Sequence, residues 1–204
     1  MSVKKCENYR IHHEKPYKKL VVILSTLVLS FLSIIFIVWL ILKPSKPRFS
    51  VQDISIYQLN ISSPDLLTST IQVTVVSKNP NQRVGVYYDN LKASASYKGQ
   101  QITENAALPA FYQGHDDTNV LSSWLSGRSV PMAPALSYNL GMDKSSGKLL
   151  LSVKLDGRLR WKVGSWISGY YHLDIDCYSV LVFPSGSVSG PARVQQGGRC
   201  STNV

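Results

Sequence analysis

Residues 149–163 read LLLSVKLDGRLRWKV, and their alternation decides the fold class. Leu149, Leu151, Val153, Leu155, Leu159, Trp161 and Val163 occupy the odd positions. Ser152, Lys154, Asp156, Arg158, Arg160 and Lys162 occupy even ones. A period of two places successive side chains on opposite faces, so this is a strand with one buried face and one wet, basic face. Gly157 falls on the apolar face without breaking the alternation, which suits a bend or a close approach better than a bulge.

Shorter segments repeat the theme on both sides. Ile71, Val73 and Val75 alternate with Gln72 and Thr74; Leu91, Ala93, Ala95 and Tyr97 alternate with Lys92, Ser94, Ser96 and Lys98. Residues 51–59 read as a leading strand, and Leu173, Ile175 and Cys177 alternate with Asp174 and Asp176. Turn signals separate them at Asn79-Pro80-Asn81, Lys98-Gly99, Gln113-Gly114, Ser126-Gly127 and Ser146-Gly147. Residues 118–125 are ambiguous between helix and strand, and no amphipathic helix competes. About seven short strands are expected over 50–183, in one antiparallel β-sandwich large enough to bury its own core.

Upstream, residues 20–42 read LVVILSTLVLSFLSIIFIVWLIL, without a charge. As a helix this stretch is about 35 Å long, enough to cross a ~30 Å hydrocarbon core. It exceeds the h-region of about 7–15 residues in a signal peptide, and no small-x-small cleavage site follows it. A transmembrane helix is therefore expected at 20–42, after a tail at 1–19 and before a Pro/Lys linker at 43–49. The tail holds Lys4, Lys5, Arg10, Lys15, Lys18 and Lys19; the first residues beyond the span hold Lys43, Lys46 and Arg48. That excess points the N-terminus into the cytoplasm, a type II arrangement with the C-terminal domain extracellular.

Of the net charge of +10, the tail carries +4 and the rest of the chain +6. The tail's share is explained as a topology signal and as attraction to anionic lipid. No long basic run or nucleic-acid motif occurs downstream, so nucleic acid is not an expected partner. Cys6 reads as a free cytosolic thiol and His12-His13 as part of the tail. Beyond the span only Cys177 and Cys200 remain, and an oxidising compartment would allow them to pair, worth roughly 3 kcal/mol by loop closure. Asn60-Ile61-Ser62 is a glycosylation sequon if this side is exoplasmic.

Catalytic chemistry is hard to assemble from what is left. His115, in Tyr112-Gln113-Gly114-His115-Asp116-Asp117, reads as a polar loop with no further His or Cys at ligand spacing. His172, Asp174 and Asp176 share a strand face and are expected to pair with Arg158, Arg160 and Lys162 across a sheet. The run Gly186-Ser187-Val188-Ser189-Gly190 puts Val188 where a nucleophile elbow needs Ser. No P-loop, GxGxxG or HExxH occurs. Trp124, Trp161, Trp166 and the pairs Tyr87-Tyr88 and Tyr170-Tyr171 could make a ligand surface, but in a sandwich they are expected mainly in the core. Residues 184–204, rich in Gly and Ser at first, are expected to be flexible. No enzyme, cofactor or metal is expected.

Several of these strings, in this order, resemble a known family. Asn79-Pro80-Asn81, Arg83 and Tyr87-Tyr88-Asp89 are followed by residues 91–97, LKASASY, then by Phe111-Tyr112-Gln113-Gly114-His115 with Thr118. Gly157, Leu159 and Arg160-Trp161-Lys162-Val163-Gly164 complete the set. With the preceding span they resemble the plant harpin-induced / non-race-specific disease resistance-like family, whose outer domain is of the late embryogenesis abundant group 2 type. The resemblance implies a seven-stranded fibronectin- or immunoglobulin-like sandwich at the plasma membrane. It also implies a non-enzymatic part in plant defence, in resistance signalling or in cell-wall or membrane adhesion through unidentified protein partners at the cell surface. A membrane-anchored desiccation protectant is the alternative. The signature residues are expected to be structural: Pro80 and its asparagines at a strand end, Tyr88 packed inward beside Val84 and Val86. The chain has no Arg-Gly-Asp or Asn-Gly-Asp, and its end is too polar for a lipid-anchor signal, so the activities tied to those features are not carried over.

Overall fold

The computed structural model describes residues 16–42, 44–62, 64–182, 190–194, 198 and 200–204. The tail with Cys6 and His12-His13, and most of 183–199, lie outside the described residues. The chain separates into two compact units, Met1–Lys43 and Pro44–Val204.

The first unit contains α1 (Pro16–Leu42), a 27-residue helix that starts four residues before the apolar run. A proline at the first helical position costs little, because its missing N–H would have no intrahelical partner there. Residues Tyr17–Ile37 are long and apolar enough to span a membrane, and none of that stretch is buried within the protein. Three of its hydroxyls are satisfied within the helix: Ser25, Thr26 and Ser33 donate to the carbonyls of Val22, Ile23 and Ser30 at 2.8–3.0 Å. Hydroxyls bonded this way ask nothing of surrounding lipid.

In the second unit the chain runs β1 (Arg48–Ser62), β2 (Leu66–Lys78), β3 (Gly85–Tyr97), β4 (Gln100–Gln101), β5 (Ala106–Ala107), β6 (Phe111–Gln113) and β7 (Thr118–Pro131). Helix α2 (Pro134–Ser146) precedes β8 (Lys148–Val163), β9 (Trp166–Ile167), β10 (Tyr171–Val182), β11 (Gly190–Val194) and β12 (Cys200–Asn203). Antiparallel ladders join β7, β2 and β1 into one layer and β3, β8 and β10 into another. β11 bonds to both β1 and β10 and so connects the layers. The inner faces share one core, with Ile54, Ile56, Ile71, Val73 and Leu125 from the first layer and Tyr88, Leu151, Val153, Leu155, Leu159 and Ile175 from the second.

The alternation of 149–163 is realised residue by residue, its odd apolar positions up to Trp161 being buried apart from Gly157's lack of a side chain. Gly157 is a close approach, as expected, but the bulge lies across from it. The β3–β8 ladder slips between Asp89 and Lys92, where Asn90 takes a φ of 54°. Leu91 is thereby driven against Gly157, and a Cβ there would come 2.8 Å from Leu91 Cδ2 and 3.0 Å from its Cα.

Several expectations are corrected. Instead of about seven short strands, six strands of 12 to 16 residues carry the ladders, with short pieces at their edges. Residues 118–125 are strand, within β7, and the helix is α2, where none was expected. α2 buries only Ser137 and Leu140, so no apolar stripe advertises it. The expected linker is shorter than 43–49: β1 starts at Arg48, and Phe49 is buried in the core. The expectation of flexibility over 184–204 fails for the described residues there, since β11 and β12 are built into the domain. β12 is zipped to β10 from Asp174↔Asn203 to Cys177↔Cys200, a partner that local composition cannot reveal.

Candidate functional site

The Asn-Pro-Asn segment follows directly on β2, and its polar side chains turn inward. Asn79 Nδ2 donates to the carbonyls of Val84 (2.8 Å) and Gly114 (2.7 Å), while Asn79 Oδ1 accepts from Asn81 N and Asn81 Nδ2. Gln113 Nε2 donates to the carbonyls of Ser77 and Asp117, and its Oε1 accepts from Tyr88 OH at 3.0 Å. Asn79, Gln113, Ser77 and Tyr88 are all buried. Burial pushes the Tyr88 phenol far above its ordinary pKa, so it stays neutral. Phe49 meets its ring edge-on at 6.0 Å and Phe111 stacks on it at 4.6 Å. Each unmatched member of such a network would cost about 1–3 kcal/mol. These residues hold the β2–β3 turn to the loop after β6.

His115 sits at the exposed tip of that loop, beside an exposed Lys78–Asp116 pair at 3.5 Å. Among the described residues no cluster of His, Cys, Asp or Glu could hold a metal ion. The polar contacts on the outer face of β10 differ from those expected. Asp176 meets Lys154 at 3.3 Å and His172 Nε2 meets Asp156 at 3.3 Å, because the register sets those residues opposite or diagonal to one another.

Arg160 instead turns towards β3. Its Nε donates to Asp89 Oδ2 at 2.9 Å, and its guanidinium lies 5.4 Å from the Tyr87 ring and 5.0 Å from the Tyr170 ring. Asp89 raises the Arg160 pKa further, so the guanidinium is permanently charged. Lys162 Nζ lies 5.0 Å from the Tyr112 ring and 5.7 Å from that of Tyr87; Tyr87 and Tyr112 pack against each other at 4.6 Å. Tyr112 lies across Gly85, where any Cβ would overlap its ring and hydroxyl. Signature residues Tyr87, Asp89, Tyr112, Arg160 and Lys162 therefore converge on one outward-facing cluster. Arg83 is exposed in the β2–β3 turn, Trp161 is core, and Gly164, with a φ of 58°, makes the tight turn between β8 and β9.

The expectation that the aromatics are mainly core is corrected too. Trp161 and Tyr88 are buried, but Trp166, Tyr170 and Tyr171 are exposed near the ends of β8 and β10, and Trp124 packs on Tyr57 at 4.8 Å on the outside of the other layer. Tyr170 was missed as a member of the cluster because it lies between β9 and β10, outside any strand, where period two assigns no face. Cys177 and Cys200 are joined by a disulfide between β10 and β12. Asn60 is exposed on β1. An open cleft of about 810 Å³ is lined by Lys46, Arg48, Phe49, Lys78 and Thr118, with Lys46 directed to the Thr202 carbonyl at 3.5 Å.

The family model of the late embryogenesis abundant protein LEA_2 matches residues 74–177, from the last part of β2 into β10. The chain is 45% identical over 190 residues to NDR1/HIN1-like protein 26 of Arabidopsis thaliana, covering 92% of this chain and 89% of that one. It is 44% identical to NDR1/HIN1-like protein 1 of the same plant, over 89% of this chain and 88% of the other. NDR1/HIN1-like protein 12 is 48% identical over 72% of this chain and 70% of its own. With likeness at that level running from the apolar helix through the β domain, the chain belongs to the LEA_2 family, among its NDR1/HIN1-like members.

Proposed function

We propose that this protein is a single-pass plasma-membrane protein of plant defence, with residues 1–19 cytoplasmic and the β domain extracellular, acting by binding rather than catalysis in resistance signalling or in cell-wall or membrane adhesion. One observation carries the reading: an uncovered apolar helix is followed by a domain closed by the Cys177–Cys200 disulfide. Disulfides persist in oxidising compartments and are rare in the cytosol, so the bond supports an exoplasmic domain. The basic excess before the helix supports the same orientation. The NDR1/HIN1-like relatives support the defence role. The described surface offers charged and aromatic groups for binding.

The LEA_2 match favours a second reading, a membrane-anchored protectant in desiccation. Protease protection of sealed microsomes, with tags at Met1 and Val204, tests the topology. A C-terminal tag that survives until detergent is added is the expected result; its digestion, with the N-terminal tag protected, would overturn it. Gene disruption separates the two roles. Weakened pathogen responses are expected, whereas unchanged responses with lost desiccation tolerance would give the second reading precedence.

A further inference from the structure

We propose that the outer face of the β3–β8–β10 layer, at the Tyr87–Arg160–Lys162 cluster, binds an anionic polysaccharide, a chain of carboxylate-bearing sugars. The inference rests on the reading above only in placing the domain where such polymers occur.

Arg158, Arg160 and Lys162 stand at alternate positions of β8, so their side chains leave the same face about 7 Å apart. Among the described residues, two of the three lack a carboxylate partner. Asp89, opposite Arg158 in register, is bonded to Arg160 instead, and among the described residues Lys162 meets aromatic rings and the Tyr87 hydroxyl. Arg158 is exposed and makes no ion pair among the described residues. Besides Asp89, the acidic groups of this face are Asp156, Asp174 and Asp176, which lie further along the strands, with Asp156 and Asp176 already facing His172 and Lys154. Beside β8 the face is therefore positive and unsatisfied.

The aromatic groups decide what kind of anion fits. Tyr112 is 40% exposed and Tyr170 61% exposed, on opposite flanks of the cation row. Rings in that position stack on the C–H faces of sugars while the cations meet their carboxylates. The surface is an open sheet face, which suits an extended polymer better than a small molecule. It is also preorganised: Asp89 holds Arg160, and the absence of a side chain at Gly85 seats Tyr112. Groups held before binding lose little entropy on binding. Nucleic acid also stacks on aromatics, but its denser charge would meet Asp89, Asp156, Asp174 and Asp176 on the same face.

The test uses the full chain in zwitterionic nanodiscs, with polygalacturonate as probe, its fully methyl-esterified form as the uncharged match, and single-stranded RNA as the competing polyanion. Saturable, salt-sensitive binding to polygalacturonate is expected. The double variant R158Q/K162Q should weaken it by about tenfold or more, while R128Q, which removes an exposed charge from the other layer, should change it less than about twofold. Tyr170→Ser should weaken it by about threefold without altering the salt slope. Equal binding of the methyl ester, tighter binding of RNA, or a double variant matching R128Q would each overturn the proposal. Binding in nanodiscs does not depend on which side of a cell membrane the domain faces. A failure here thus leaves the topology standing, and a failed protection assay leaves the binding result standing.

Discussion

Asn81 and Ser45 exchange two hydrogen bonds, each of 2.7 Å: Ser45 N donates to Asn81 Oδ1, and Asn81 Nδ2 donates to Ser45 O. Ser45 is three residues beyond the end of α1, so the first residues of the β domain are fastened to the β2–β3 turn. Asn81→Asp keeps the acceptor for Ser45 N but sets a second carboxylate oxygen against Ser45 O and Asn79 Oδ1. Destabilisation by about 2–4 kcal/mol is expected, with Asn81→Ala at the lower end of that range. Urea unfolding of the full chain, followed by tryptophan fluorescence, measures it.

Gly157 and Gly141 should respond to alanine with opposite signs. At Gly157 the new methyl meets Leu91, including its backbone Cα, and cannot be accommodated without moving β3. A loss of about 1–3 kcal/mol is expected. At Gly141, in α2, nothing lies within 4 Å, and alanine should stabilise by about 0.5–1 kcal/mol. Melting the two variants side by side checks both signs.

Reducing the Cys177–Cys200 disulfide, or replacing Cys200 by Ser, should cost about 3 kcal/mol, since the bond closes a loop of 23 residues of separation. β12 holds four register pairs with β10 and should lose protection first. Hydrogen exchange at Ser201, Thr202 and Asn203, with and without reductant, is the measurement. Exchange that stays slow in the reduced protein would mean that the ladder alone suffices.

If the domain is exoplasmic, the exposed Asn60 should carry a glycan. Asn60→Gln would then raise electrophoretic mobility to that of the glycosidase-treated wild type, and an unchanged mobility would mean that the sequon is unused.

Acidification should loosen α2. Asp143 Oδ2 accepts from Tyr97 OH at 2.6 Å and faces Lys98 Nζ at 3.2 Å, tying the helix to the end of β3. The Tyr97 hydroxyl, and after it Lys98, hold the Asp143 carboxyl below its ordinary value of 3.8. A group depressed on folding contributes stability above its unfolded pKa and loses it as pH falls through the folded one. Amide exchange in α2 should therefore accelerate below about pH 3.8, and Asp143→Asn should remove that pH dependence.

The alternation of 149–163 was legible because burial in a half-exposed strand is written in a period of two. The inward turn of Tyr88 beside Val84 and Val86 was legible for the same reason. α2 was not, because a helix that buries one leucine and one serine leaves no periodic trace. β12 was hidden as well, since its partner β10 ends 18 residues earlier and its stability comes from pairing rather than composition. In the candidate site, Tyr87, Asp89, Tyr112, Arg160 and Lys162 could be named one by one, but nothing local distinguished them from Asn79, Asn81 and Gln113, which turn inward.

By itself the sequence determined the apolar helix, the antiparallel β class and the family, because hydrophobic length, period and ordered motifs are properties of neighbouring residues. The tertiary structure alone decided which signature residues became scaffold and which became surface. Strand register did the sorting: it set Asp89 within reach of Arg160 and laid Tyr112 across Gly85, while the turn after β2 closed its asparagines over Ser45. Register depends on pairings between segments distant in the chain, such as Gly85 with Lys162 or Ile54 with Ala192, and no local pattern encodes it.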